Sequence, residues 1–319
     1  MNSKAIYFIL PLLILVSGFS LMNRQSPPAA MELQRFGSKL QVMTMEAPAF
    51  VEFAGERIPT ERPDVKAKLD KELQRYSRGL AGSKLLMKRM GRYQKAFTSA
   101  LADYGVPADF FYLSMIESNL SNAISPAGAA GFWQLMPETA KQYGLEVSNE
   151  VDERLHVEKA TIAAGRYLRD LHKNFGSWTL VAAAYNRGEA GLQRALTKQN
   201  VEDYFSLHLN RETAQYVYRA AALKLLATNP ERYGLEAPRR YSPLRTYAVE
   251  LSENIENLPL YIIDNKIDPV AFRQLNPWIL QDFLNVPSGK NYTIQLPMGR
   301  LSAPELAIED RYFRIALDS

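Results

Sequence analysis

Apolar residues recur at helical spacing along two early stretches, Leu69, Leu73 and Tyr76, then Leu86, Met90, Tyr93, Phe97, Leu101 and Tyr104. The spacing predicts two amphipathic helices, the second closed by Gly105 with Pro107 beyond it. Phe110, Phe111, Leu113, Met115 and Ile116 follow, a run apolar on most sides and therefore a buried helix. Further along, Pro137 to Tyr143 reads as a short helix stopped by Gly144, and Val151 to Arg154 as a charged turn. Val157, Ala160, Ala164, Tyr167, Leu168, Leu171 and Phe175 mark a longer helix ended by Gly176. Ser177 can cap the next helix, Trp178 to Asn186; Glu189 to Leu196 and Glu212 to Thr228 complete the set before Pro230. Nothing from Lys66 to Thr228 alternates as a strand, so residues 61–235 are expected to form an all-α domain and the fold class to be mainly α.

The pattern changes after the basic, proline-rich Pro238 to Pro243. Thr246 to Leu251 reads as a strand, Ile255 to Ile263 and Pro269 to Leu275 as short helices, and Tyr292 to Leu296 as a second strand ended by Pro297. Residues 245–298 thus make a separate β-α-α-β module of about fifty residues, below the size at which a core is comfortably stable. The tail, 299–319, shows no pattern beyond an edge strand or helix around Tyr312, Phe313 and Ile315. At the other end, residues 23–60 have no sustained periodicity, contain Pro27, Pro28, Pro48 and Pro59, and read as a linker with a short strand at Ala49 to Phe53. Before them Ala5 to Met22 is an uncharged apolar run of 18 residues, about 27 Å as a helix. Residues 1–22 are therefore a signal peptide or a minimal membrane anchor, and the flanking Lys4 and Arg24 place the bulk of the chain outside the cytoplasm.

Composition narrows the chemistry. The 319 residues are 47% hydrophobic and 23% charged, so the chain folds. A net charge of +4, with Lys and Arg interspersed among Asp and Glu, does not suggest nucleic acid. The absence of cysteine excludes a disulfide, a thiol nucleophile and a thiolate zinc site. His156, His172 and His208 have no ligand spacing, so neither metal nor cofactor is expected.

What remains is one carboxylate. Glu117 leaves the buried helix and enters the small-residue segment Ser125 to Gly131, which is followed by Phe132, Trp133 and Gln134. Burial disfavours the ionised form, so such a glutamate can stay protonated near neutral pH, as a general acid must. The small residues let a ligand approach the backbone, and Trp133 would offer it a flat face. Taken alone, a glutamate at a helix end is more often solvated or capping, and Asn186, closing the small-residue helix Ala182-Ala183-Ala184-Tyr185-Asn186, is more often a cap than a ligand.

Four stretches in order nevertheless resemble one family. Glu117-Ser118, then Ser125 to Gly131 with Phe132-Trp133-Gln134-Leu135-Met136-Pro137, then Ala184-Tyr185-Asn186, then Glu212-Thr213 with Tyr216-Val217 are similar to the four motifs of the family 1 lytic transglycosylases. The similarity is greatest to their membrane-bound D subgroup. The resemblance covers about Asp109 to Leu226 and implies a lysozyme-like all-α catalytic domain acting on peptidoglycan glycan strands. It implies cleavage of the bond between N-acetylmuramyl and N-acetylglucosamine residues without water, leaving a 1,6-anhydromuramyl end, in the periplasm and anchored to the membrane by the N-terminal segment or secreted after its cleavage. Glu117 would serve as acid and then as base. Ser118 would orient the helix end or the carboxyl, Gln134 and Asn186 would hold sugar or acetamido groups, Tyr185 and Tyr216 would line the cleft, and Ser118, Ser125 and Trp133 would meet substrate. Arg187 departs from the subgroup, which has a small residue there. Residues 245–298 resemble a degenerate LysM peptidoglycan-binding module through Tyr247-Ala248-Val249, Leu275-Asn276-Pro277 and Tyr292-Thr293-Ile294, with Ser252-Glu253-Asn254 in place of the usual Gly-Asp-Thr. Two alternatives stay open: a hydrolytic muramidase and a non-catalytic peptidoglycan-binding protein. A hydrolase needs a second carboxylate, and the motif stretches contain only Glu138 and Glu212, each in a helix's first turn where acids serve the helix dipole.

Overall fold

The structure is a computed structural model and describes residues 45–235 and 239–299. The apolar segment Ala5 to Met22, most of the expected linker and the tail from residue 300 lie outside the described residues. Among the described residues no helix is long and apolar enough to cross a membrane.

The short strand expected at Ala49 to Phe53 is present as one arm of a hairpin whose second arm the sequence pattern did not anticipate. Strands β1 (Val51–Phe53) and β2 (Glu56–Ile58) pair antiparallel, Val51 opposite Ile58 and Phe53 opposite Glu56. Ala54 and Gly55 join them with φ of 55° and 79°, the left-handed pair that a tight two-residue hairpin turn requires. Residues 45–60, expected as linker, thus belong to the helical domain: Phe53 and Ile58 are fully buried, and the Ala54 N–H donates to Asp109 Oδ2 at 2.7 Å. A strand of three residues is too short to show alternation, which is why the sequence pattern missed β2 and assigned the segment to a linker.

Eight helices follow. α1 (Pro63–Arg78) and α2 (Leu80–Ala102) are divided at Gly79, and α3 (Phe111–Ser118) is the buried apolar helix. α4 (Pro137–Gln142) is short, whereas α5 (Val157–Phe175) has the limits its spacing predicts and ends on Gly176 at φ 67°. α6 (Trp178–Arg187) starts at Ser177, whose hydroxyl accepts from Leu180 N–H. Its first turn also receives the Glu56 carboxylate, Oε2 accepting from Thr179 N–H at 3.0 Å, so the hairpin supplies the negative charge that a helix N-terminus favours. α7 (Glu189–Gln199) and α8 (Arg211–Thr228) complete the domain. α8 runs through its centre, against α1, α3 and α6. Ala182, Ala183 and Ala184 of α6 and Ala220, Ala221 and Ala222 of α8 are all fully buried, and such small side chains let helix backbones approach closely.

The C-terminal unit has the expected order: β3 (Thr246–Leu251), α9 (Leu258–Asp264), α10 (Pro269–Leu275) and β4 (Tyr292–Pro297), with β3 antiparallel to β4 and Leu251 opposite Tyr292. α9 begins later than its pattern suggests because the Asn257 side chain accepts the Leu260 N–H at 2.9 Å and caps it there. Asn276 is fully buried and fully used, donating to Phe272 O and Gln295 O and accepting from Gln295 N–H. The unit is not free-standing. Leu258, Phe272, Trp278 and Ile294 share one apolar cluster with Ala130, Val151 and Leu155 of the helical domain. Asp152 N–H donates to Trp278 O and Leu280 N–H to Glu150 O, both at 2.9 Å. A core of this size gains stability by borrowing apolar surface from its neighbour.

Candidate active site

α3 ends by turning its chain back on itself. Asn119 and Leu120 both take left-handed backbone, φ 51° and 55°, a strain that leucine in particular tolerates only where its surroundings hold it. The turn leaves Glu117 half-buried on the last turn of the helix. Its Oε1 accepts a hydrogen bond of 2.5 Å from the Tyr216 hydroxyl of α8. Burial pushes the Glu117 carboxyl up from 4.5 to about 7; the Tyr216 hydroxyl opposes this, the charge of Glu212 adds to it and Arg219 opposes it. Tyr216 is itself buried and held far above the ordinary tyrosine range, so it stays a donor. A carboxyl that is part protonated at neutral pH can both give and take a proton.

The segment after α3 is a closed loop. Ser118 is buried and its hydroxyl donates to Ser114 O and Phe132 O, each at 3.0 Å. It fixes the helix end to the loop and does not face the cleft, which corrects its expected place among substrate contacts. Ser125 accepts the Ala129 N–H through its hydroxyl at 3.0 Å and closes the small-residue turn. Gln134 stands at φ 47° and donates its amide to Ala123 O at 2.8 Å and Gly131 O at 2.9 Å. Trp133 is the clearest correction. Its indole is fully buried, stacked on Phe97 at 5.7 Å, with Nε1 donating to Thr161 Oγ1 at 3.0 Å. An apolar ring with one donor satisfied is worth more inside than on a wet loop. The large apolar side chains this stretch does leave exposed are Ile124 and Met136.

Tyr185 and Asn186 sit on the last turn of α6, half-buried. Tyr185 donates to Trp133 O at 2.6 Å. Asn186 accepts from Thr213 Oγ1 at 2.7 Å and donates to Glu212 Oε1 at 3.2 Å, so α8 sets the orientation of its amide. Glu117, Tyr185, Asn186 and Tyr216 are thereby gathered around one place by three helices; Ser118, Ser125, Trp133 and Gln134 shape the wall. Arg187 is exposed and bonds Gly191 O and Asn210 Oδ1.

Arg154 is a residue that the sequence pattern misread. The expected charged turn, Val151 to Arg154, is entirely buried. Arg154 forks onto Asp152, Nε to Oδ1 at 2.9 Å and Nη2 to Oδ2 at 2.7 Å, and its Nη1 donates to Gly128 O at 2.6 Å and Leu135 O at 3.1 Å. It ties both ends of the glycine-rich loop to the segment on which the C-terminal unit rests. Three charged residues in a row, Asp152, Glu153 and Arg154, read as solvent-facing; the Asp152 carboxylate and two carbonyls distant in the chain satisfy the buried guanidinium. The buried histidine His156 packs beside Trp278 and is pushed down to about 4 by desolvation. His172 stacks on Trp178.

Residues 95–207 match the family described as the transglycosylase SLT domain, and residues 247–300 the soluble lytic transglycosylase C-terminal LysM-like domain. The chain is homologous to the membrane-bound lytic murein transglycosylase D of Escherichia coli K12, 36% identical over 157 residues, which are 47% of this chain and 35% of that protein. A membrane-bound lytic murein transglycosylase F 2 of Alkalilimnicola ehrlichii is 33% identical over 113 residues, 33% of this chain and 24% of that protein. The chain spans about a third or less of the length of these relatives. Among solved structures, the lytic transglycosylase Slt of Pseudomonas aeruginosa aligns with 56% of this chain and 32% of its own at 19% identity and a TM-score of 0.38.

Proposed function

We propose that this chain, which carries a transglycosylase SLT domain and a LysM-like C-terminal domain, is a murein lytic transglycosylase acting in the periplasm, with Glu117 as its general acid and base. The observation that carries the reading is Glu117 itself: a carboxyl at about 7, bonded by Tyr216 and within electrostatic reach of Tyr185 on α6. Protonated, it gives its proton to the leaving glycosidic oxygen. Ionised, and now held by the Tyr216 hydroxyl, it accepts the proton of the muramyl C6 hydroxyl as that oxygen closes on C1. Asn186, locked by Thr213 and Glu212, would hold the sugar's acetamido group for this step. The N-terminal apolar segment would tether the enzyme to the membrane; the relatives from Escherichia coli and Alkalilimnicola ehrlichii are membrane-bound by name.

Ring closure is favoured over hydrolysis by proximity. The C6 hydroxyl is tethered near C1, and effective molarities for well-oriented groups reach roughly 10⁵ M or more. Glu212, the acid whose charge is felt at Glu117, is engaged by Asn186. Digestion of purified sacculi in ¹⁸O-water should therefore release muropeptides about 20 Da lighter than a muramidase gives in the same water, with no heavy oxygen and no reducible muramyl end. Fragments that carry ¹⁸O and reduce with borohydride would make the protein a hydrolase. Asn186→Ala should lower kcat/KM on soluble glycan fragments by on the order of 10², read against an unchanged melting temperature; full activity in that variant would remove Asn186 from the site.

A further inference from the structure

Beside the cleft, α1 and α8 face each other across a groove of about 390 Å³ lined by Lys71, Glu72, Arg75, Arg211, Glu212 and Arg219. Arg211 and Arg219 lie two helical turns apart on one face of α8, and Lys71 and Arg75 one turn apart on α1. Four cations thus surround two carboxylates. Glu72 is almost wholly buried, yet its Oε2 accepts no hydrogen bond. It stands between Arg75 Nε at 3.5 Å and Arg219 Nε at 3.8 Å, within Coulombic reach, and Arg219 Nε likewise lacks an acceptor. Glu212 is engaged by Asn186. Among the described residues Lys71 and Arg211 have no carboxylate partner. Glu72 attracts both guanidinium groups, but its Oε2 completes no hydrogen bond with either and Arg219 Nε keeps a donor free at the groove.

We propose that this groove binds a carboxylate carried by the peptide part of the wall polymer, a reading that rests on murein as the substrate. The groove joins the cleft through Glu212 and Arg219, both of which act on Glu117, so a substituent of a glycan lying at Glu117 enters it. Sugar hydroxyls and acetamides are neutral and leave a surplus of two positive charges unanswered. A peptide carboxylate answers it with charge-assisted hydrogen bonds to Arg211 and Lys71.

Equilibrium binding by calorimetry to full-length protein carrying Glu117→Gln tests this without turnover, using soluble glycan fragments of one length with their peptides intact or stripped by an amidase. The intact fragment is expected to bind roughly five- to tenfold tighter, as two partly exposed ion pairs allow, and the advantage should shrink in 0.5 M NaCl, about where screening is nearly complete. Adding Lys71→Gln and Arg211→Gln should bring the two fragments to the same affinity. Inorganic phosphate at matched ionic strength should leave the advantage intact. Equal binding of both fragments, an advantage that survives the double substitution, or one that phosphate abolishes would each overturn the assignment. If wild-type protein fails to cleave either fragment while the binding difference stands, the transglycosylase reading falls and the groove does not.

Discussion

Glu117→Gln should reduce wall cleavage by on the order of 10⁴-fold or more, at or above the top of the range for a single acid-base group, because one group performs both proton transfers. The same variant should show a second effect, on stability. Burial raises the folded carboxyl from 4.5 to about 7, so the folded state holds its proton more tightly than the unfolded chain. The stabilisation from that proton is fully present below pH 4.5 or so and is lost as pH rises through about 7. Glutamine is never ionised. Relative to wild type, Glu117→Gln should therefore gain in melting temperature between about pH 5 and 8, and the gain should level off above the folded pKa. Activity of the wild type should fall as pH rises through about 7, because the acid step needs the protonated form. A variant that still cuts sacculi would end the mechanism. A melting difference that does not change with pH would place Glu117 in water rather than beside Tyr216.

Gly131→Ala should be the most damaging small substitution in the loop. Gly131 has φ of +78°, and a Cβ there would lie 1.9 Å from Arg154 O. That oxygen belongs to the buried segment tied by Asp152 to Trp278 O, so it cannot retreat without breaking the joint with the C-terminal unit. We expect a loss of about 3 kcal/mol or more, together with loss of cleavage, since the loop shapes the wall beside Glu117. Gly128→Ala is the control: φ is +87° there, but nothing lies within 4 Å of the added methyl, and backbone strain alone should give about 1 kcal/mol. Thermal melts of the two variants against wild type decide the matter. Similar losses in both would mean that the close approach to Arg154 does not constrain the loop.

The helices, and the place of Glu117 at the end of a buried one, were legible in local pattern. Helical spacing gave α5 its full extent and the split between α1 and α2, because amphipathic faces and glycine stops are local properties of the chain. Glu117 stood out because an apolar helix ending in an acid is also a local pattern. Three features depended on residues distant in the chain and were settled by packing. Residues 51–58 joined the domain because Asp109 and the α6 N-terminus accept and need what that hairpin offers. Trp133 went inward because Phe97 and Thr161 were there to receive it. Arg154 was buried because Gly128 and Leu135 carbonyls met its free nitrogens. Periodicity reports which face of an element is apolar; it says nothing about which distant partner will satisfy a buried charge or fill the space beside a ring, and those partners fix the wall of the site.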